Sequence, residues 1–380
     1  MAHQNASLSS ARGEARHEHR PPVGDRSGRP SAAAIELNKR IAAARNAEGI
    51  LAIVEAEHGA FSAVNAATAC NRLAKRCQRS SCSPRMDDGR VQTLFSTIIR
   101  VSADLNGQAV ANTLWALATL GWQAAEGAMR AALEGAAVRV APSMNAQDLA
   151  NALWALATLG WQAAEGAMRA ALEGAAVRVA PSMNAQNVAN ALWALATLGW
   201  QANAELAAVC VQLIERFHDC GHSRLSTVHL SQLLQAHLAS QLLGLGLVTL
   251  PPAMLEVAVK AHREEALKVT VSNSQREVGD SLRRLGIPHE LEYVTADGLF
   301  SIDLAIVDRR IAIEFDGPSH FTTNTLEPLG HTRLRDRLLS AMGWHVVCIP
   351  FFDWDRLQQT SERDDYVERR VHQGCWLGRE

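Results

Sequence analysis

Residues 122–160 and 161–199 are one sequence written twice, identical at 37 of 39 positions and differing only at Asp148/Asn187 and Leu149/Val188. Two matching copies cannot take different roles in one irregular core, so each must fold alike and stack on its neighbour. The second half of the unit also precedes them, as Asn106 to Gly121. Weaker echoes stand around Asn71 and at Leu225–Leu238, where Ser231 takes the Asn position. The marker positions Asn71, Asn112, Asn151, Asn190 and Ser231 are spaced 41, 39, 39 and 41. A period near 40 predicts an α-solenoid built from helical hairpins.

Each unit reads as two helices. The first opens at Asn145, an N-cap residue, and stops at Gly160, which suits the left-handed position past a helix end. The second spans about Gln123 to Val140 and ends before Pro142, with an apolar stripe through Ala125, Ala128/Met129, Ala132/Leu133, Ala136/Ala137 and Val140. Glu126, Arg130 and Glu134 form an i,i+4 charge ladder on its other face. Gly127 and Gly135 fall inside this helix, each at a cost of about 1 kcal/mol relative to Ala, which predicts close packing of neighbouring backbones.

The flanks differ. Residues 1–33 lack large apolar side chains and are rich in Ser, Arg, His and Pro, the composition of a disordered leader with some transit-peptide character. The solenoid is expected over 34–245 and a linker helix over 246–273. Residues 274–380 form an α/β unit in which the period turns strand-like: helix 275–285, strands 290–294, 299–307 and 310–316, helix 330–342 and strand 344–349.

Charge and cysteine narrow the function. The net charge is −2, so bulk attraction does not hold a polyanion and any basic footprint is local. Of 37 cationic residues only four are Lys; the cationic work falls to Arg, which alone forks onto carboxylate or phosphate. Seven Cys without a CxxC pair fit neither a zinc module nor a secreted disulfide scaffold. No run reaches the 18 apolar residues that a membrane helix needs. Residues 101–200 hold four Arg against six acids, whereas 72–100 hold seven Lys/Arg against Asp87 and Asp88. Arg76 and Arg79 in that basic segment are candidate phosphate contacts, as are Arg333, Arg335 and Arg337 near the C-terminus.

If Asp308-Arg309 is a hairpin turn, strand positions pair when their numbers sum to 617, as Asp303 and Glu314 do. These acids then oppose each other with Cβ atoms about 5 Å apart, and Asp316 shares their face. Three carboxylates on one face call for a shared proton, an Mg²⁺ ion held by Asp303 and Glu314, or an Arg network. A three-residue loop would instead put Asp303 and Glu314 on opposite faces. In the catalytic reading, His320 beyond the Gly317-Pro318 turn serves as base; in the alternative, arginines neutralise the acids.

Six blocks in order resemble a RAP domain: Gly286, Asp303-Leu-Ala, Ile313-Glu314-Phe-Asp316-Gly-Pro-Ser-His320-Phe321, Thr332 through Arg337-Leu-Leu, Gly343-Trp344-His-Val-Val and Ile349-Pro350. The resemblance implies an RNA-binding module shared with FAST kinase-like mitochondrial proteins. Its fold is similar to restriction endonucleases, whose site is Asp followed by Glu-x-Lys. Asp303 and Glu314 fit the first positions; Asp316 stands where Lys belongs, and no Lys follows Lys268. The phrase Ala-Asn-Ala-Leu-Trp-Ala-Leu-Ala-Thr-Leu-Gly resembles octotricopeptide repeats of algal organelle RNA factors. Together they imply a mitochondrial or chloroplast factor (otherwise cytoplasmic) that binds single-stranded RNA, such as organelle transcripts or rRNA, with ribonucleoprotein partners. Binding requires no cofactor. The alternatives are an Mg-dependent RNA endonuclease and an armadillo-like protein scaffold.

Asn112, Asn151 and Asn190 recur three residues before Trp115, Trp154 and Trp193. The Asn side chains either read bases or ladder along the solenoid; the Trp rings are expected in the core. Asp148 against Asn187 is either a base selector or an ordinary cap.

Overall fold

The computed structural model describes residues 30–78, 88–124, 127–161, 166–219, 225–266 and 271–376. The chain is mostly helical and carries one small sheet near its C-terminus. Six helices make an inner row: α1 (Ala32–Ala43), α3 (Ala63–Cys77), α5 (Gly107–Thr119), α7 (Ala146–Thr158), α9 (Ala185–Leu198) and α11 (Thr227–Leu242). Five alternate with them in an outer row: α2 (Ala47–Glu57), α4 (Gly89–Arg100), α6 (Ala128–Val140), α8 (Ala167–Val179) and α10 (Ala204–Asp219). Each helix packs on the next of its own row, which makes two layers and a solenoid. Helix α12 (Pro252–Ala266) packs on α11.

Each inner helix starts on a polar cap, and α5, α7 and α9 end on glycine. Asn106, Asn145 and Asn184 accept backbone N–H groups from Ala109, Asp148 and Asn187 at 2.8–2.9 Å. At the other end Gly121, Gly160 and Gly199 take φ of +63°, +59° and +70°. That turn lets Trp122, Trp161 and Trp200 donate back to Leu117, Leu156 and Leu195 at 2.9–3.0 Å. It also buries Trp161 and Trp200. Glu134 Oε1 accepts from Trp161 Nε1 at 2.9 Å, while Arg130 pairs with Glu134 and lies over the same ring. Glu126 and Ala125 lie outside the described residues.

The outer helix is shorter than its periodicity predicts. It begins at Ala128, because Gly127 stands before it at φ +141°, and Ala128 is exposed. Nor does Gly135 mark close backbone packing: it is exposed, and a Cβ there would meet nothing within 4 Å; the same holds at Gly174. Neighbouring units are joined by arginine instead. Arg139 donates to the carbonyls of Ser102 and Leu105, and Arg178 to those of Ala141 and Met144, at 2.7–3.1 Å. Arg100 reaches the carbonyl of His58 in the same manner.

The α/β unit runs α13 (Asn273–Arg284), β1 (Glu290–Val294), β2 (Ser301–Ile306), β3 (Ile311–Asp316), α14 (Gly330–Ala341), β4 (His345–Pro350), α15 (Phe351–Trp354) and α16 (Thr360–Trp376). The sheet order is β1-β2-β3-β4, with β4 parallel to β3 and the other pairs antiparallel. Leu304 pairs with Ile313 and Ile306 with Ile311, the expected register. The turn uses four residues where two were expected: a 3₁₀ segment at Val307–Arg309, then Arg310 at φ +51°. One residue added on each side keeps the parity, so the pairing survives. Leu304 and Ile313 pack with Val278, Leu282, Val367 and Val371 on the face covered by α13 and α16. Ile302 joins the solenoid-side core instead.

The α/β unit docks on the glycine corners of the inner row. Thr323 donates to Gly121 O at 2.7 Å. The Asn324 amide exchanges two hydrogen bonds with the Gln123 backbone. Arg333 packs on Gly160, and Arg337 donates to the α9 carbonyls of Ala196 and Thr197 at 3.3 and 3.1 Å. Gly330, first residue of α14, lies so close to α7 that an added Cβ would overlap the Ala157 carbonyl and sit 2.7 Å from Thr197 Cγ2. At the far end, His262 of α12 bridges Ser231 Oγ (2.7 Å) and the Leu299 carbonyl (2.9 Å).

Three substitutions test this packing, in opposite directions. Gly135→Ala with Gly174→Ala should raise unfolding stability by about 1 kcal/mol each, since both sites are open mid-helix positions. Gly330→Ala should lower it by about 2 kcal/mol or more through overpacking. Denaturant unfolding of the full chain checks both.

Candidate nucleic-acid interface

Helices α5, α7 and α9 bury nearly everything but one edge. In α7 that edge is Gln147, Asn151, Trp154 and Thr158, spaced i, i+4, i+7 and i+11 on one line along the helix. Gln108, Asn112, Trp115 and Thr119 repeat it on α5, and Gln186 and Asn190 on α9, where Trp193 and Thr197 at the same spacing are buried. The three Gln are exposed and the three Asn half-buried. None of these amides bonds to another described residue, so there is no Asn ladder. Asn71 departs from the pattern and is buried. The Trp expectation holds fully only at Trp193, which is buried and donates to Gln235 at 2.8 Å. Trp115 and Trp154 rest half-buried against the core, and Lys75 lies 5.5 Å over the Trp115 ring. The glutamines escaped the sequence reading, although their place four residues before each Asn was the available signal.

Asp148 and Asn187 sit at the third position of their helices, as caps. Asn187 is buried and closes a capping box with Asn184. The Asp148 carboxylate accepts from the Asn145 backbone; burial pushes its pKa up and that hydrogen bond opposes the shift.

The arginine candidates are largely spent inside the chain. Arg76 donates to the Ala44 carbonyl at 2.9 Å, and Arg90 is shared between Asp88 and Glu48. Arg79 and Arg85 lie outside the described residues. Arg333 pairs with Glu327, Arg335 with Glu314, and Arg337 with the α9 carbonyls. The expectation that these last three open toward phosphate is therefore corrected: α14 turns them toward the sheet and the solenoid. What stays open in the basic segment is exposed Lys75 and half-buried Arg72.

The three acids do meet on one face of the sheet, but α14 covers it. Glu314 and Asp316 are each 3% exposed. Glu314 Oε2 sits 2.6 Å from Arg335 Nη1, and Arg335 also donates to the Ser301 carbonyl. Glu314 Oε1 is buried without a partner. Burial pushes Glu314 upward while Arg335 pulls it back. Asp303 accepts the Phe315 N–H at 2.8 Å; burial raises its pKa, opposed by hydrogen bonds from Gln275 and Phe315. Asp316 takes His320 Nδ1 at 3.0 Å and the Cys348 thiol at 2.6 Å. Burial raises the Cys348 pKa, and the Asp316 charge adds to it.

These donors do not fit a divalent cation. A metal site needs several carboxylate oxygens converging on one point. Here the Arg335 guanidinium fills that role, and the acids point to three separate partners. Among the described residues, no group of three or more His, Cys, Asp or Glu side chains is placed to hold a metal. Of the three arrangements open for these acids in the sequence, a shared proton, an Mg²⁺ ion or an Arg network, the described residues form a buried cluster in which Arg335 pairs with Glu314.

A helical-repeat solenoid bearing an αβββαβ unit on its inner-row corners defines the class of molecule. Residues 313–370, from β3 into α16, match the RAP domain family, so the chain carries a RAP domain there. A RAP domain-containing protein, chloroplastic, from Oryza sativa subsp. japonica is 35% identical over 125 residues, 30% of this chain and 19% of that protein. FAST kinase domain-containing protein 3, mitochondrial, from Homo sapiens is 32% identical over 65 residues, covering 17% of this chain and 10% of that protein. Its Bos taurus counterpart is 33% identical over 72 residues, or 19% and 11%. The chain thus spans less than a fifth of each of these proteins. RAP is a family known for RNA binding. None of the described helices is long and apolar enough to cross a membrane.

The buried pair makes a measurable demand. Arg335→Met should cost about 3 kcal/mol, because it strands Glu314 in the interior. Adding Glu314→Gln should recover most of that, and denaturant unfolding of both variants is the check. Equal stability of Arg335→Met and wild type would show that the pair carries no weight.

Proposed function

We propose that this chain is an organelle RNA-binding factor whose inner helix row receives single-stranded RNA. One observation carries the reading: Gln and Asn amides without a described partner recur in three units, beside half-buried Trp rings in two of them. Helical-repeat RNA readers present two or three side chains per base from such an edge. The Gln–Asn pair supplies the donors and acceptors; Trp115 and Trp154 supply apolar surface for stacking. Arg72 and Lys75 sit at the end of the row where a phosphate contact would anchor the strand. The RAP domain, known as an RNA-binding family, and the chloroplastic and mitochondrial names of the relatives support the substrate class and the organelle. The near absence of open cations in the duplicated units predicts weak, base-dependent binding in place of strong electrostatic capture.

Fluorescence anisotropy with a labelled unstructured RNA, at low and moderate salt, tests this. Asn151→Leu and Asn190→Leu should each weaken binding about fivefold, the value of one hydrogen bond, with stability unchanged. Replacing Arg72 and Lys75 by Ala should flatten the salt dependence, by about 0.7 in log–log slope per lost phosphate contact. Absence of binding at low salt would leave the inner row as a protein-docking surface.

A further inference from the structure

The α/β unit has a second concave feature, lined by none of the acid cluster's residues. A cleft of about 280 Å³ opens between the β1–β2 turn, the β2–β3 turn and the end of α14. Trp344 forms its floor. Tyr293 lies against that ring at 5.4 Å between centroids, and the Arg310 guanidinium stands 5.4 Å above it. Thr295 and Asp297 edge the opening.

Two details mark this as more than a surface dent. Arg310 is held at φ +51°, a left-handed conformation that costs a side-chain-bearing residue about 1 kcal/mol or more, although glycine would serve the turn. Among the described residues its guanidinium makes one hydrogen bond, Nη2 to the Met342 carbonyl at 3.1 Å, which leaves further N–H donors for a ligand. Asp297 also has capacity left. Its Oδ1 accepts from Thr295 Oγ1 and the Leu299 N–H, whereas Oδ2 has no bond to a described residue.

We infer that this cleft binds one nucleobase of a single-stranded RNA, with a preference for guanine over uracil. The base stacks against Tyr293 and the Arg310 guanidinium, as unstacked bases do on aromatic and Arg planes. Asp297 Oδ2, with both lone pairs open, accepts from the adjacent N1–H and exocyclic N2–H of guanine, whereas uracil offers it one N–H flanked by two carbonyl oxygens that the carboxylate repels. The remaining Arg310 donors take the adjoining phosphate. The inference deepens the RNA reading by giving the RAP domain its own subsite.

Arg310→Gly separates binding from folding, since glycine accepts the backbone conformation that arginine resists. The variant should unfold no more readily than wild type. It should bind GMP and a guanine-rich oligonucleotide about 5- to 10-fold more weakly, the scale of one lost stacking partner. Tyr293→Leu should act in the same direction, and Asp297→Asn should narrow the ratio of GMP to UMP affinity. The full chain is used, with GMP and UMP binding read directly by titration calorimetry and RNA binding by anisotropy. GMP binding that Arg310→Gly weakens supports the cleft even if longer RNA fails to bind, the outcome that sinks the inner-row reading alone. RNA binding that responds to Asn151→Leu but not to Arg310→Gly or Tyr293→Leu overturns the cleft and leaves the inner row standing.

Discussion

The glycine corner that closes α5, α7 and α9 is the constraint on which the remaining architecture depends. At Gly121, Gly160 and Gly199 the backbone enters the left-handed region, and three consequences follow from that one turn. The helix ends with its carbonyls satisfied by the next Trp N–H. The Trp rings at 161 and 200 swing into the core, where an alanine-rich layer needs bulk. The absence of a Cβ leaves room for a second domain to approach the helix ends. Thr323, Arg333 and Arg337 use three successive corners in that way.

Sharing the corners ties the two halves of the molecule electrostatically as well as sterically. Helix C-termini present unpaired carbonyls and a partial negative charge, so a buried guanidinium is at home there. Arg337 ends on the carbonyls of α9, and desolvation lowers its pKa. Arg335, two residues earlier, faces the sheet and meets Glu314. One helix therefore neutralises the acid cluster with one residue and anchors to the solenoid with another. The same economy governs the solenoid, where Arg100, Arg139 and Arg178 are bound to carbonyls of the preceding unit. Arginine here is chiefly structural mortar, which explains how a chain with 33 of them can leave its inner edge nearly uncharged.

A cation-poor edge bearing amides and indoles limits what kind of recognition is available. It disfavours capture by long-range attraction and leaves short-range hydrogen bonding and stacking as the chemistry on offer. The Arg310 side chain over Trp344 offers the same chemistry at one further position, on the α/β unit.

Much of this was legible in the chain itself. The duplication gave the solenoid and its period, and Asn and Gly marked both ends of the inner helix, because caps and left-handed turns are local chemistry. Alternation along 302–316 placed Asp303, Glu314 and Asp316 on one face, and symmetric lengthening of the turn left that parity intact. Other features were not local. Whether Gly135 marked a close contact depended on a neighbour that proved absent, and the Asn amides stayed unpaired because adjacent helices do not bring them together. The fate of Arg333, Arg335 and Arg337 was decided by docking: periodicity put them on one helix, but only the packed domains showed that carbonyls and a carboxylate, not solvent, lie within reach. Local sequence sets which groups share a face, while tertiary packing decides what that face meets, and for charged groups the difference is between a binding surface and a buried ion pair.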